Sequence, residues 1–196
     1  MKVEPALQQR LLELQAVDSR LDQLEHQRRT LPQLATLAEV DSQLAVLADR
    51  IVAAETEVTD LQRAQTKAET DVEQVRARSD RDQELLNSGR ITASKELENL
   101  QHEVASLARR QSELEDVELE VMEQLEGARE HLAVLTGERD ELVGRRSVAL
   151  EERDAAFAKA DAESADLRAD RADIAPHIPS ELAALYEKLR ADNAGV

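Results

Sequence analysis

The chain has 196 residues with a formal net charge of −17, and it contains no cysteine, no tryptophan and two aromatic rings, Phe157 and Tyr186. Five glycines and four prolines are few for this length, so the chain has little with which to turn or to fill a thick core. These features argue against an ordinary globular enzyme, a disulfide-stabilised fold and a thiolate metal site within the chain.

Membrane-spanning, secreted and disordered chains are the next classes to weigh. The longest stretch without a charged residue is nine residues, 30–38, which is too short to span a bilayer. The first five residues lack the apolar core of a signal peptide. Because 41% of the residues are hydrophobic and regularly spaced, disorder is also disfavoured. We therefore expect an ordered cytoplasmic protein without membrane contact.

The first long segment, 37–86, repeats apolar residues at alternating steps of three and four. Twelve of its fifteen seam positions are apolar, and the three exceptions lie in the distal half. A repeat held over seven heptads is typical of a left-handed coiled coil. An N-terminal stripe from Leu7 to Leu24 precedes it, and we predict a first helical arm over 6–87.

A second heptad series begins at Leu97 and continues to Leu142, beyond which the seam weakens to small alanines. Between the two series, Asn87 and Gly89 tolerate left-handed backbone and end helices. A short turn between two heptad helices makes them antiparallel neighbours. The sequence therefore predicts an all-α fold, a long antiparallel coiled-coil hairpin with its turn at 87–91 and its return arm over 92–172.

Proline and glycine predict a kink in this hairpin. Pro32 interrupts the first arm, and Gly137 and Gly144 weaken the return arm. With a turn centred near residue 89, the numbers of paired residues add up to about 178. Pro32 then lies opposite Arg146, and we expect the kink where Pro32 and Gly144 meet.

The C-terminal segment differs from the arms, because Pro176 and Pro179 prevent a continuous helix. Ser180 is a candidate N-cap for a short helix. The apolar face of that helix comprises Leu182, Leu185, Tyr186 and Leu189. The hairpin base, a following element or a second copy of the chain would cover this face, so a homodimer is an expectation. We assign 1–175 to the hairpin and 176–196 to a linker and short helix.

No constellation of residues in the sequence predicts catalysis. The four histidines are far apart, and none forms an i, i+4 pair with another histidine: His26, His102, His131 and His177. The chain has no Gly-rich phosphate loop and no serine or threonine in a nucleophile-elbow context. We expect surface histidines, no enzymatic activity, and no cofactor or metal bound by this chain.

Charge is distributed unevenly along the predicted hairpin. The stretch 113–126 carries seven acids and no base, and its predicted partner stretch 52–65 adds three acids against one base. Near the turn the sign inverts, since 74–95 has five bases against three acids. These bases are candidate partner-binding residues at the tip: Arg76, Arg78, Arg81, Arg90 and Lys95. The alternative is an ordinary solvated coiled-coil surface that carries both signs.

Three stretches resemble a bacterial family of coiled-coil hairpins that end in a four-cysteine zinc ribbon. They are SGRITASKELENLQHEV at 88–104, LEDVELEVMEQLE at 114–126, and the segment that runs from Ile178 through Tyr186 to Arg190. The Ala- and Arg-rich sequence resembles that of actinobacterial members. The resemblance covers essentially the whole chain. It is specific for the return arm and for YEKLR at 186–190, and unspecific for the first arm, where any heptad repeat would match.

The resemblance implies a small zinc ribbon after the hairpin, zinc in the full-length protein, and adaptor or chaperone-like roles, some in flagellar regulation or type III secretion. The ribbon's cysteine pairs would follow residue 196, so no zinc ligand is assigned to this chain. We expect a non-catalytic scaffold or adaptor that presents binding surfaces to protein partners. The alternative is a regulatory protein that binds nucleic acid through the zinc ribbon, because the acidic hairpin itself repels phosphates.

Overall fold

The computed structural model describes residues 4–193, which are helical apart from short connections and contain no strand. Helix α1 covers Pro5–Arg29, α2 Pro32–Asn87, α3 Ser94–Ile174 and α4 Ser180–Asn193, with a single 3₁₀ turn at Ala175–His177. The predicted all-α coiled-coil hairpin is confirmed. The end of the predicted short helix, at 194–196, lies outside the described residues.

The chain divides into two compact units. One comprises the residues up to Ser42 together with those from Val143 onward, and the other comprises Gln43–Leu142. Helices α2 and α3 each contribute to both units. In the unit Gln43–Leu142 they pack as antiparallel neighbours, because lower-numbered residues of α2 contact higher-numbered residues of α3.

The predicted heptad seam is the core of the unit Gln43–Leu142. One cluster joins Leu47, Ile51 and Ala54 of α2 to Leu135 of α3. A second cluster joins Val58 to Leu125 and Ala128. Every position of the predicted α2 seam from Leu37 to Leu86 is buried or half-buried, including its three polar members. On α3 the seam position Arg139 is exposed, since its long charged side chain reaches water and pairs with Asp140.

The predicted interruption at Pro32 is confirmed. Helix α1 ends at Arg29, where the backbone N–H and the hydroxyl of Thr30 both donate to the carbonyl of His26, at 3.0 and 2.9 Å. Pro32 is the first residue of α2. A backbone N–H at this position has no acceptor within the helix, so proline, which lacks that N–H, is well tolerated there. Helix α3 continues through Gly137 and Gly144 without a break.

The predicted register of the two arms is wrong by about two helical turns. The amide of Gln33 donates to Glu152 at 3.1 Å, and Arg146 donates to Asp41 at 2.6 Å. Pro32 therefore lies at the level of Glu152, and Arg146 lies opposite Asp41. One cause is the turn, whose non-helical residues extend to Ala93, so its centre falls later in the chain than residue 89.

Gly89 is the residue on which the turn depends. Its φ is +65°, and no other residue among 4–193 has a positive φ. The hydroxyl of Ser88 donates to the carbonyl of Leu85 at 2.8 Å, and the same oxygen accepts from the backbone N–H of Arg90 at 3.3 Å. The chain thus leaves α2 through a left-handed glycine that a serine side chain braces.

Alanine at two glycines is expected to change the stability in opposite directions. Gly89→Ala introduces a Cβ into a left-handed backbone and should lower the free energy of unfolding by about 1 kcal/mol. Gly137→Ala, in mid-helix with nothing within 4 Å of its added Cβ, should raise it by about 1 kcal/mol. Urea denaturation followed by far-ultraviolet circular dichroism checks both. Loss of stability in both variants would contradict the assignment of Gly137 to an open helix surface.

The C-terminal helix α4 packs on α1 within the first unit. Ile178 and Leu182 are buried against Leu14, with Ala183 and Tyr186 packed beside them. The predicted apolar face is wrong in half of its members, because Leu185 and Leu189 are 50% and 53% exposed. The positions that pack on α1 follow steps of four, 178, 182 and 186, whereas Leu185 lies at the edge of this face and Leu189 lies beyond Tyr186, where it lines a cleft beside α1.

Ser180 is not the N-cap that the sequence predicts. The carbonyl of Pro179 accepts the first helical hydrogen bonds, from the backbone N–H groups of Leu182 and Ala183 at 3.0 and 2.9 Å. Pro179 therefore occupies the cap position of α4, and Ser180 begins the helix itself.

Candidate functional site

The five candidate residues of the basic tip lie around the turn that joins α2 to α3. Arg76, Arg78 and Arg81 belong to the last three turns of α2, Arg90 to the turn itself, and Lys95 to the first turn of α3. All five side chains are exposed. The basic tip therefore exists as an exposed feature of the unit Gln43–Leu142.

Two of these bases have partners within the hairpin. Arg78 donates to Glu103 of α3 at 2.6 Å and lies 3.9 Å from Asp82. The Nε of Arg81 donates to the backbone carbonyl of Ala77 at 3.0 Å, which orients its guanidinium without neutralising it. Arg78 therefore links the two arms, and a structural role accounts for it.

The other bases of the tip do not form one patch with Arg78. Two residues along a helix correspond to about 200° of rotation, so Arg76 and Arg78 point to opposite faces of α2. Within residues 4–193, Arg76, Arg90 and Lys95 have no carboxylate within ion-pair distance. The bases of the tip therefore point in more than one direction, and three of them have side chains that are not engaged by a carboxylate within residues 4–193.

A second polar site, which the sequence analysis missed, surrounds Asp18 in the other unit. Asp18 belongs to α1 and is 1% exposed. Arg171 of α3 donates to its Oδ1 at 2.8 Å, and Arg190 of α4 lies 3.1 Å from the same oxygen. The hydroxyl of Tyr186 donates to Oδ2 at 2.9 Å. Three helices therefore converge on one buried carboxylate.

The outer partners complete this Asp18 cluster. Arg190 also donates to Asp22 at 2.7 Å, and Arg171 also donates to Glu187. Both arginine side chains are about one-third exposed, at 31% for Arg171 and 29% for Arg190, so their outer edges reach water. Two bases thus face one buried and two exposed acids.

The electrostatics of the Asp18 cluster shift the titration of its members. The hydrogen bond to Asp18 raises the pKa of Arg171. Desolvation lowers the pKa of Arg190, but the hydrogen bond to Asp22 and the charge of Asp18 outweigh it, so the pKa is raised. Burial and the hydrogen bond to Asp18 raise the pKa of Tyr186. The cluster therefore holds charged arginines and a neutral phenol, which suits a structural lock rather than proton transfer.

A cleft of about 400 Å³ adjoins the Asp18 cluster, between α1 and α4. Asp18, Asp22 and Arg190 line it together with Tyr186 and the half-exposed Leu189. The charged groups of its lining and the hydroxyl of Tyr186 are already engaged with one another. Nothing in this arrangement resembles a nucleophile with its base, so the cleft provides no catalytic constellation.

One feature of the sequence could have indicated that Asp18 is buried, namely its position within the N-terminal stripe. It stands four residues after Leu14 and three before Leu21, which is a seam step of the heptad pattern. A carboxylate at such a position requires partners or a solvated seam. The partners, Arg171, Tyr186 and Arg190, are more than 150 residues away, and periodicity alone does not identify them.

The histidines are placed as the sequence predicts. All four side chains are exposed, and the Nδ1 of His177 lies 2.9 Å from the carbonyl of Asp173 in its own segment. Within residues 4–193 no three His, Asp or Glu side chains are grouped as a metal site would require, and the chain has no cysteine. The residues present therefore do not fit the zinc that the resemblance implies, and the zinc ribbon stays a prediction.

The family follows from a match to nearly the whole hairpin. Residues 14–194 match the model of the CT398-like coiled coil hairpin domain. The chain belongs to this family. The structure of CT398 from Chlamydia trachomatis supports the fold, with a TM-score of 0.67 at 17% identity, covering 97% of this chain and 80% of that one.

Mycobacterial proteins are similar in sequence as well as in fold. The solved structure of a Mycobacterium smegmatis protein is 33% identical, with a TM-score of 0.83, and covers 100% of this chain and 81% of its own. An uncharacterized protein of Mycobacterium tuberculosis is 41% identical over 126 residues, which is 64% of this chain and 51% of that protein. This chain thus spans about half the length of that relative.

Within residues 4–193, none of the helices combines the length and the apolar composition that crossing a bilayer requires.

Proposed function

We propose that this protein is a non-catalytic scaffold that binds protein partners, and that its basic tip docks an acidic surface of one of them. The proposal is supported by the exposed bases Arg76, Arg90 and Lys95, which have no ion-pair partner within residues 4–193. They stand at the turn of a chain whose net charge is −17, so the tip differs in sign from the rest of the surface. Complementary charge of this kind speeds association and selects the partner.

Membership of a coiled-coil hairpin family is consistent with this proposal, and the core of the unit Gln43–Leu142 is a two-helix seam rather than a chamber that could enclose a substrate. A two-helix surface offers long exposed faces, which suits macromolecular partners better than small molecules. The clusters of polar residues that do form, at Arg78 and at Asp18, are used to hold helices together.

Removing the tip charges is expected to reduce recovery of the partner strongly. The variant replaces Arg76, Arg81, Arg90 and Lys95 by serine and keeps Arg78, whose bond to Glu103 links the arms. In an affinity capture from the source organism, quantified by mass spectrometry, at least one protein should fall about tenfold relative to the intact chain. Rebinding of that purified protein should weaken with rising salt.

The matched control removes the same number of charges elsewhere. Arg109, Arg129, Arg145 and Arg168 are exposed bases of α3, and their replacement by serine makes the same change in net charge. The control variant should recover the partner at the level of the intact chain. Equal recovery by the intact chain and the tip variant would show that the tip is not a docking site. Equal loss of the partner in the tip variant and the control variant would show that binding depends on the net charge of the chain and not on the tip.

A further inference from the structure

Helix α3 carries a second stripe beside its seam. The seam positions 114, 118, 121 and 125 face α2, and each has a neighbour one residue later, at 115, 119, 122 and 126. These neighbours repeat the same steps of four, three and four, so they form a parallel stripe on one side of the helix. We call Glu115, Leu119, Met122 and Glu126 the second stripe.

The centre of the second stripe is apolar and open to water. Leu119 is 57% exposed and Met122 is 44% exposed. The two lie three residues apart, so they are neighbours on the helix surface. Other exposed apolar residues of α3, such as Val143 and Val148, are five residues apart and do not pair in this way. A single exposed apolar residue needs no explanation, whereas two large adjacent ones form a contact surface.

Acidic residues enclose this apolar centre. The run 113–126 carries seven carboxylates and no base. Arg110 pairs with Glu113 at 3.1 Å, and within residues 4–193 no base lies within ion-pair distance of the other six. Their negative charge is therefore not neutralised along α3.

The neighbouring helix does not supply the missing bases. Since Val58 packs on Leu125 and Ala128, the run 113–126 lies opposite residues of about 59–72. That stretch contains three acids and two bases, Arg63 and Lys67, and Arg63 is held by Asp60 of its own helix at 3.2 Å. With a net charge of −1, this stretch of α2 does not neutralise the seven carboxylates of α3.

We propose that the second stripe docks a basic amphipathic helix of a partner protein. Leucine-type side chains of that helix would cover Leu119 and Met122, and its lysines and arginines would lie against Glu115, Glu126 and the adjoining acids. This inference rests on the scaffold function proposed above, but it concerns a different surface and a partner of opposite charge.

A second copy of the chain is the less suitable occupant. It would bring its own acidic run, or a tip in which three acids accompany the five bases. The acidic run would face like charges across the interface, which costs binding energy, and the tip, with five bases against three acids, would attract the run more weakly than a helix that carries bases alone. A basic helix carries no such penalty, and an exposed methionine adapts to varied partner side chains.

The test uses a synthetic helical peptide of about 18 residues, with leucines on one face and lysines on the other, labelled for fluorescence anisotropy. A second peptide of equal charge has alanine in place of each leucine. The Lys/Leu peptide should bind the full chain at least tenfold more tightly than the Lys/Ala peptide. Equal affinities would mean attraction by charge alone and would overturn the proposal.

Two variants locate the binding on the chain. The double substitution Leu119→Ser with Met122→Ser should raise the Kd of the Lys/Leu peptide about tenfold, since both residues lose their apolar contact. The matched control, Val143→Ser with Val148→Ser, removes two half-exposed apolar residues outside the acidic run and should leave the Kd unchanged. An unchanged Kd in the first variant, or an equal rise in the control, would overturn the assignment.

The charged flanks are tested without altering the apolar centre. Glu115→Gln with Glu126→Gln should raise the Kd severalfold and flatten its dependence on salt, whereas Glu130→Gln with Glu141→Gln should do neither. This pair also tests the proposal should the serine variant fail to fold. Sedimentation of the peptide-free chain completes the test, because self-association that disappears in the serine variant would identify a second copy as the occupant and overturn the basic helix. Neither result depends on the tip, so the two proposals fail separately.

Discussion

Leu135→Ala should lower the free energy of unfolding by about 2–5 kcal/mol, the range for truncating a buried leucine. Leu135 is 1% exposed and lies among Leu47, Ile51 and Ala54, three residues of the facing helix. A two-helix seam has no further layer behind it, so the space left by the leucine is open to water rather than filled by other core residues. Thermal and urea unfolding followed by circular dichroism measure the loss.

The neighbouring residue provides the control for this truncation. Val134 stands one position earlier on α3 and is 59% exposed. Val134→Ala removes apolar atoms from the same turn without opening the seam, so it should change the stability by less than about 0.5 kcal/mol. Equal losses at the two positions would mean that the α3 seam is not the buried side of the helix.

The seam was predictable because it is a local, repeated pattern. Apolar residues spaced three or four apart lie on the same side of a helix, the side that packs on the partner helix. Val40, Leu47 and Leu135 could therefore be assigned to the core without any long-range information. The exposed bases of the turn followed equally from chain order. The exposure of Leu119 and Met122 was not predicted, although both lie inside a stretch that the sequence marks as acidic.

Register and the docking of α4 could not be derived in the same way. A shift of seven residues preserves the heptad pattern completely, so the apolar spacing is as consistent with the predicted pairing of Pro32 as with the observed one. The face that α4 buries packs on Leu14 and is hydrogen-bonded to Asp18, and the apolar spacing of α4 does not identify either of these partners on α1. Leu185 and Leu189 satisfy helical periodicity as well as Leu182 does, yet Leu182 alone of the three is buried.

The two arginine partners of Asp18 should therefore affect the stability as strongly as the α3 seam does. Replacing both Arg171 and Arg190 by methionine leaves a carboxylate that is 1% exposed without its two cations. Removing the partners of a buried charge costs about 3–5 kcal/mol, and we expect a loss of this order. Hydrogen exchange should show the amides of α4 opening first, since Tyr186 and Arg190 are its polar attachments to α1.

A rescue experiment separates the buried charge from simple loss of arginine. Adding Asp18→Leu to the double methionine variant removes the unpaired carboxylate and lets the site pack as an apolar one, which should restore most of the lost stability. The matched control replaces the exposed bases Arg168 and Lys188 by methionine and should cost little, because neither side chain has an ion pair within residues 4–193. A triple variant no more stable than the double would mean that the arginines stabilise α4 by packing alone. A triple variant with restored stability whose α4 amides still exchange rapidly would instead show that Asp18 determines where α4 docks and contributes little to the overall stability.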